Sequence, residues 1–261
     1  MKLTSVTRTA NQTVLVYGPP KTGKTELVGK LALHFNLLWF DMENGSATLF
    51  KLPPEAQARV ELVSLPDTRS YPIAIETCLK VIKGANCKIC SLHGKVGCQL
   101  CSKANVPESD YVEVCLSKLG PDTIVVFDSL TQLTNSAISH ITKGQPEDYK
   151  MTYDDFGHLG KLMDIFLSHA QAAPCNLICI SHEQEVEMED GKAKIVPVAG
   201  TRNFSRNTAK YFGHVVYCRM AANKHSFSSS TTAVLNTVAG SRLDVAVEKM
   251  AEASLLSIFQ R

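Results

Sequence analysis

The sequence predicts an α/β fold: a mostly parallel sheet, an antiparallel extension toward the C-terminus, and a short cysteine-rich insertion. Three observations predict it. Short apolar runs with little polar alternation recur along the chain, as strands buried on both faces require. Amphipathic helical patterns lie between those runs, and strand–helix alternation builds parallel sheets with right-handed crossovers. After Phe204 the helical intervals give way to consecutive runs joined by polar turns.

The elements follow in order. Val14–Tyr17, Leu37–Phe40, Ile124–Phe127, Asn176–Ile180 and Val215–Cys218 read as buried strands. Lys24–Phe35 places Leu27, Val28, Leu31 and Phe35 on one helical face, and Tyr71–Lys83 does the same with Ile75, Leu79 and Ile82. Asp154–Ala172 aligns Leu159, Leu162, Met163, Phe166 and Ala170, with Asp154 and Asp155 suited to its first turn. Val215–Met220, Ser226–Ser230 and Thr232–Thr237 read as an antiparallel extension, and Asp244–Phe259 as a closing amphipathic helix.

With 261 residues, 44% of them hydrophobic and 20% charged, the chain can bury one substantial core, and the disordered class is excluded. It reads as one domain over 1–261 with an insertion at about 84–106; there is no internal repeat. A formal net charge of +2 does not argue for a nucleic-acid partner, so any basic patch must be local. No apolar stretch of about 18 residues exists, which argues against a membrane partner. The polar start MKLTSVTRTANQT has no signal-peptide centre, and the expected location is cytoplasmic. Nine cysteines then need a reading other than disulfides. Cys78, Cys115, Cys175, Cys179 and Cys218 sit in apolar contexts and read as core residues.

GPPKTGKT, residues 18–25, fits G-x-x-x-x-G-K-[ST], with an apolar strand before it and an amphipathic helix after it. Gly18 and Gly23 let the loop through Pro19, Pro20, Lys21 and Thr22 curl so that the N–H groups of its non-proline residues face phosphate oxygens. The helix beginning near Lys24 and continuing through Glu26 adds its positive end. Lys24 reaches the β- and γ-phosphates, and the Thr25 hydroxyl serves a magnesium ion. The cofactors this implies are a nucleoside triphosphate and Mg2+.

Two strands deliver acids. IVVFDSL ends its apolar run in Asp128, placed to hold magnesium through water. LLWFDMEN delivers Asp41 and Glu43, two apart, at a carboxyl end where open α/β sheets put their chemistry. Glu43 is the candidate base for an attacking water, and Asp41 braces the loop. Ser181 and His182 follow the strand ending at Ile180, so His182 reads either as a γ-phosphate contact or as a surface residue.

CKICSLHGKVGCQLC carries Cys87, Cys90, Cys98 and Cys101 as C-x2-C-x7-C-x2-C, a zinc-binding spacing. Four thiolates leave no open position, so the site reads as structural; His93 ranks as a substitute ligand below any of the cysteines. Lys83, Lys88, Lys95 and Lys103 surround it, so the loop reads as a staple first and as a DNA or protein contact second.

The order of GPPKTGKT, FDMEN, IVVFDSL, ICISHE and NTAKYFGHVVYCRM, over roughly residues 12–240, resembles the RecA-type recombinase core. It looks most like the short phage RecA-like P-loop ATPases, some of which act in single-strand annealing. The resemblance implies a RecA-like P-loop NTPase fold, ATP as the nucleotide, Glu43 as catalytic glutamate and His182 as γ-phosphate sensor, where recombinases more often have Gln. It implies a mobile DNA-contacting loop at about 183–207. There EQEVEMEDG is acidic, while Arg202, Phe204, Arg206 and Lys210 offer cations and an aromatic to single-stranded DNA. It further implies that Arg242 reaches a neighbouring subunit's nucleotide in a homo-oligomer, and that a single-strand binding protein is a further partner. The expected activity is ATP hydrolysis in phage recombination or annealing. A ring-forming DNA motor and a nucleotide-dependent switch are the alternatives.

Overall fold

The structure is a computed structural model describing residues 11–68, 70–188, 191–221, 224–230, 236–242 and 254–260. Its chain order is β1 (Thr13–Tyr17), α1 (Lys24–Gly29), β2 (Asn36–Asp41), α2 (Pro54–Gln57), β3 (Val60–Ser64), α3 (Ile73–Ile82), β4 (Cys87–Cys90), α4 (Gln99–Lys103), β5 (Tyr111–Val114), β6 (Thr123–Asp128), α5 (Leu130–Ile141), α6 (Tyr153–Gln171), β7 (Asn176–Ser181), β8 (Glu183–Glu187), β9 (Ala193–Pro197), α7 (Arg202–Ser205), β10 (His214–Ala221), β11 (Lys224–Ser228), β12 (Gly240–Ser241) and α8 (Leu256–Phe259).

One sheet runs β11-β10-β1-β7-β6-β2-β3, with β12 also paired to β10. Every pairing from β10 to β3 is parallel, and β11 and β12 lie antiparallel on β10. Two hairpins stand apart, β4–β5 and β8–β9. The mostly parallel sheet with an antiparallel C-terminal side is the predicted fold class.

Period-two alternation splits the apolar residues into two cores. Val14, Val16, Trp39, Val126 and Ile178 face α1 and the C-terminal turn, while Leu15, Tyr17, Phe40, Phe127 and Cys179 face α3, α5 and α6. On the second face Phe127 stacks on Phe40 at 5.0 Å and meets Phe166 of α6 edge-on at 5.1 Å. Among the described residues no helix is long and apolar enough to cross a membrane.

Several elements differ from expectation. The helix expected over Lys24–Phe35 ends at Gly29 and tightens into a 3-10 turn over Lys30–Leu33. The region expected as a mobile loop at 183–207 contains the β8–β9 hairpin. Helix α5 escaped the apolar pattern because its buried face uses Thr134 and Ser136, which bond Leu130 O and Ile75 N. Cys115 is half-buried beside Ser117 rather than in the core. Most of the strand expected at Thr232–Thr237 and of the helix expected at Asp244–Phe259 lies outside the described residues.

Candidate active site

Register brings the candidate residues to one rim. Tyr17 pairs with Ser181, Asp128 with Ile180, and Asp41 with Asp128, so four strands end side by side. The chain leaves these ends at Gly18, His182, Ser129 and Met42. All of them are carboxyl ends of parallel strands.

Residues 18–25 curl between β1 and α1. Gly18 has φ +151°, and a Cβ there would lie 2.0 Å from the Cys218 carbonyl oxygen on β10, so only glycine fits. Gly23 has φ +82° and lies against the His225 ring, whose Nδ1 is 3.0 Å from Thr22 O. Lys24 is only 6% exposed and donates to Gly18 O at 2.9 Å and Pro19 O at 2.6 Å. Burial lowers its pKa, while Glu43 and Asp128 act in the opposite direction.

Thr25 Oγ1 donates to Asp128 Oδ2 at 3.2 Å, which joins the first helix to β6. Hydroxyl and carboxylate are hard oxygen donors, and beside an ammonium they fit a magnesium–phosphate pair. Asp128 is buried, and that burial, reinforced by Glu43 and Asp41, raises its carboxyl to about 7. Asp41 braces the loop: Oδ1 accepts from Glu43 N and Gly45 N, and Oδ2 from Ser46 N, each at 3.1 Å.

Glu43 is held by two partners, the Ser129 hydroxyl on Oε1 and His182 Nε2 on Oε2 at 3.3 Å. Burial would raise its pKa, but the hydrogen bonds from His182 and Ser129 prevail and lower it. His182 N in turn donates to Thr131 Oγ1 at 2.9 Å, and the His182 Nδ1 is buried with no hydrogen-bond partner among the described residues. Ser129 was not singled out in the sequence; its place directly after Asp128 was the signal available.

The other expected contacts are scattered. From Val198, bonded to His182 O, the chain descends to Gly213, bonded to Thr13 O at the opposite rim. Phe204 stacks on Tyr211 at 6.2 Å and packs into the core, so its ring is not offered to a base. Arg206 donates to Glu187 O, Lys210 lies over the Tyr211 ring, and Arg202 is exposed. The DNA surface expected from these four is therefore not assembled in this conformation. Glu183, Glu185 and Glu187 share one face of β8. Arg242 is exposed beyond β12 at the amino-terminal rim and donates to Lys210 O at 3.3 Å.

A cluster the sequence did not suggest lies beyond β3. Lys95 and Lys143 each sit 5.9 Å from the centre of the Tyr71 ring, which is 60% exposed. Tyr71 belongs to the connection leaving the carboxyl end of β3.

In the insertion, Cys90, His93, Cys98 and Cys101 bring one donor atom each within 4.8 Å of the others. This corrects the expected ligand set. Cys87 and Cys90 are three apart on a strand, so they face opposite sides, and Cys87 joins the main core instead. His93 is the residue that the fold brings beside Cys90, Cys98 and Cys101 in its place.

A family model described as an AAA domain matches residues 10–243, nearly the whole chain. No curated protein matches it.

Proposed function

This chain belongs to the AAA domain family, and from that premise we propose that it hydrolyses magnesium-ATP and couples turnover to single-stranded DNA. The observation that carries the reading is the meeting of Thr25 and Asp128 beside Lys24, with Glu43 at the end of the adjoining strand.

Lys24 exchanges its bonds to the Gly18 and Pro19 carbonyls for phosphate oxygens. Thr25 and Asp128 would hold the magnesium ion, which neutralises charge on the phosphates when bound. Glu43 orients the attacking water and takes its proton. A base held below the usual carboxylate range is a weak one, and it strengthens when His182 and Ser129 let go. His182 therefore serves as the sensor: turning toward the γ-phosphate, it frees Glu43.

Single-stranded DNA is the favoured polymer for two reasons. The motif order resembles RecA-type cores, and the exposed Tyr71 ring with Lys95 and Lys143 pairs a stacking face with cations. In this reading the active form is a homo-oligomer, with Arg242 reaching the neighbouring copy's nucleotide.

The test is ATP turnover with and without single-stranded DNA, beside Lys24→Ala, Glu43→Gln and Tyr71→Ala. Glu43→Gln should lower turnover about 10²–10⁴-fold while keeping nucleotide binding, and Tyr71→Ala should weaken DNA stimulation alone. Turnover indifferent to DNA would sink the coupling and favour the switch; strand unwinding or translocation would favour the motor.

A further inference from the structure

We propose that Cys90, His93, Cys98 and Cys101 form a structural zinc centre of the Cys3His type, with His93 Nδ1 as the nitrogen ligand. This goes beyond the nucleotide reading and does not depend on it.

Local structure supplies each donor. Cys90 ends β4, and a tight turn follows in which Gly94 N donates to Cys90 O at 2.8 Å. Gly94 takes φ +62°, which suits glycine, and the turn carries His93 back over Cys90. Cys98 stands at the cap of α4 and Cys101 within its first turn, so one short helix presents two thiols together. Cys90, Cys98 and Cys101 are buried in a small cluster of their own with Val106 and Tyr111 beside it.

The spacing is that of a ligand set. His93 Nδ1 lies 3.2 Å from Cys101 Sγ, 3.6 Å from Cys98 Sγ and 3.9 Å from Cys90 Sγ. Zinc bonds of roughly 2.3 Å to sulfur and 2.0 Å to nitrogen set tetrahedral N···S separations of roughly 3.6 Å. An apolar cysteine cluster would have no use for an imidazole nitrogen aimed at three sulfurs. Four donors close the tetrahedron, so no position remains for water or substrate, and zinc suits this mixed thiolate–imidazole set. Binding displaces the thiol protons to solvent, and no electron is transferred.

The centre is tied to the sheet. Thr77 Oγ1 on α3 donates to Gly94 O at 2.8 Å, and a Cβ on Gly94 would lie 2.5 Å from Ser64 O at the end of β3. The turn inside the ligand set thus seats against the strand beside β2, which delivers Asp41 and Glu43. Zinc closes an insertion with little core of its own and holds it on the edge of the active rim.

The deciding measurement is metal content of the full chain purified under reducing conditions, with X-ray absorption at the zinc edge. We expect about one zinc per chain in a shell of three sulfurs and one nitrogen. Cys87→Ser should keep the metal; His93→Ala and Cys98→Ser should lose most of it. A shell of four sulfurs, or loss in Cys87→Ser with retention in His93→Ala, would overturn the ligand assignment. Metal-free protein after growth and refolding in zinc, including one carrying a Cys98–Cys101 disulfide, would overturn the centre itself. If the ligand variants do not fold, the absorption spectrum of the unaltered chain still decides.

Discussion

Asp128 combines a functional demand with a stability cost. Burial, Glu43 and Asp41 raise its carboxyl to about 7. Between about pH 4 and that value the folded protein keeps a proton that the unfolded chain has already lost. The folded state binds more protons there, so this group's contribution to stability falls as pH rises through the window. The total cost above it is at most on the order of 4 kcal/mol. Asp128→Asn should therefore stabilise the nucleotide-free protein against urea at pH 8, with the gain vanishing toward pH 4, while magnesium-dependent turnover disappears. No gain at pH 8 would mean that Asp128 is already relieved by its neighbours. Glu43 has the opposite setting: its hydrogen bonds lower it, so stability from this carboxylate is present above the unfolded pKa and lost as acid protonates it. His182→Ala removes one of those bonds, and turnover should respond in kcat more than in KM.

At the scale of elements, the nucleotide loop depends on how strands and helices are seated. Phe127, the residue before Asp128, sits between Phe40 of β2 and Phe166 of α6. Phe127→Ala should cost about 3–5 kcal/mol, read from denaturant midpoints, because the site cannot collapse around the lost ring. Its partner helix α6 is capped by Thr152, which forms a capping box with Asp155: each side chain accepts from the other residue's backbone N–H. Thr152→Ala should cost about 1 kcal/mol in the same assay, with turnover unchanged. Gly18 is stricter than either, since any side chain meets the β10 backbone. Helices α1 and α6 were legible from their apolar spacing. Helix α5 and strand β3 were not: one buries Thr134 and Ser136, and the other is an edge strand carrying exposed Glu61 and Leu62.

Across the whole molecule, four strands end on one rim, so in the proposed function nucleotide binding there should stabilise the entire sheet. At a magnesium-ATP concentration of 100 Kd the gain is about 2.7 kcal/mol, visible as a higher Tm. Lys24→Ala should abolish that shift without lowering the Tm of the free protein by a comparable amount. A shift that survives the substitution would place the nucleotide elsewhere. The two rims also divide the expected contacts: the candidate catalytic residues gather at the carboxyl ends, whereas Lys210 and Arg242 lie toward the amino ends.

Sequence alone located the glycine-rich loop, the acids at the carboxyl ends of β2 and β6, and the five central strands, because each depends on residues close together in the chain. Glycine curvature, a lysine and a hydroxyl at set spacing need no distant partner to be read. Tertiary structure decided the rest. Glu43 meets Ser129 and His182 only because parallel register ends their strands together. Phe204 turned inward because Tyr211 offered it a packed face. Cys87 lies apart from the other three cysteines because a strand alternates its side chains, His93 lies beside those three instead, and only the fold shows that residues 87–90 are a strand.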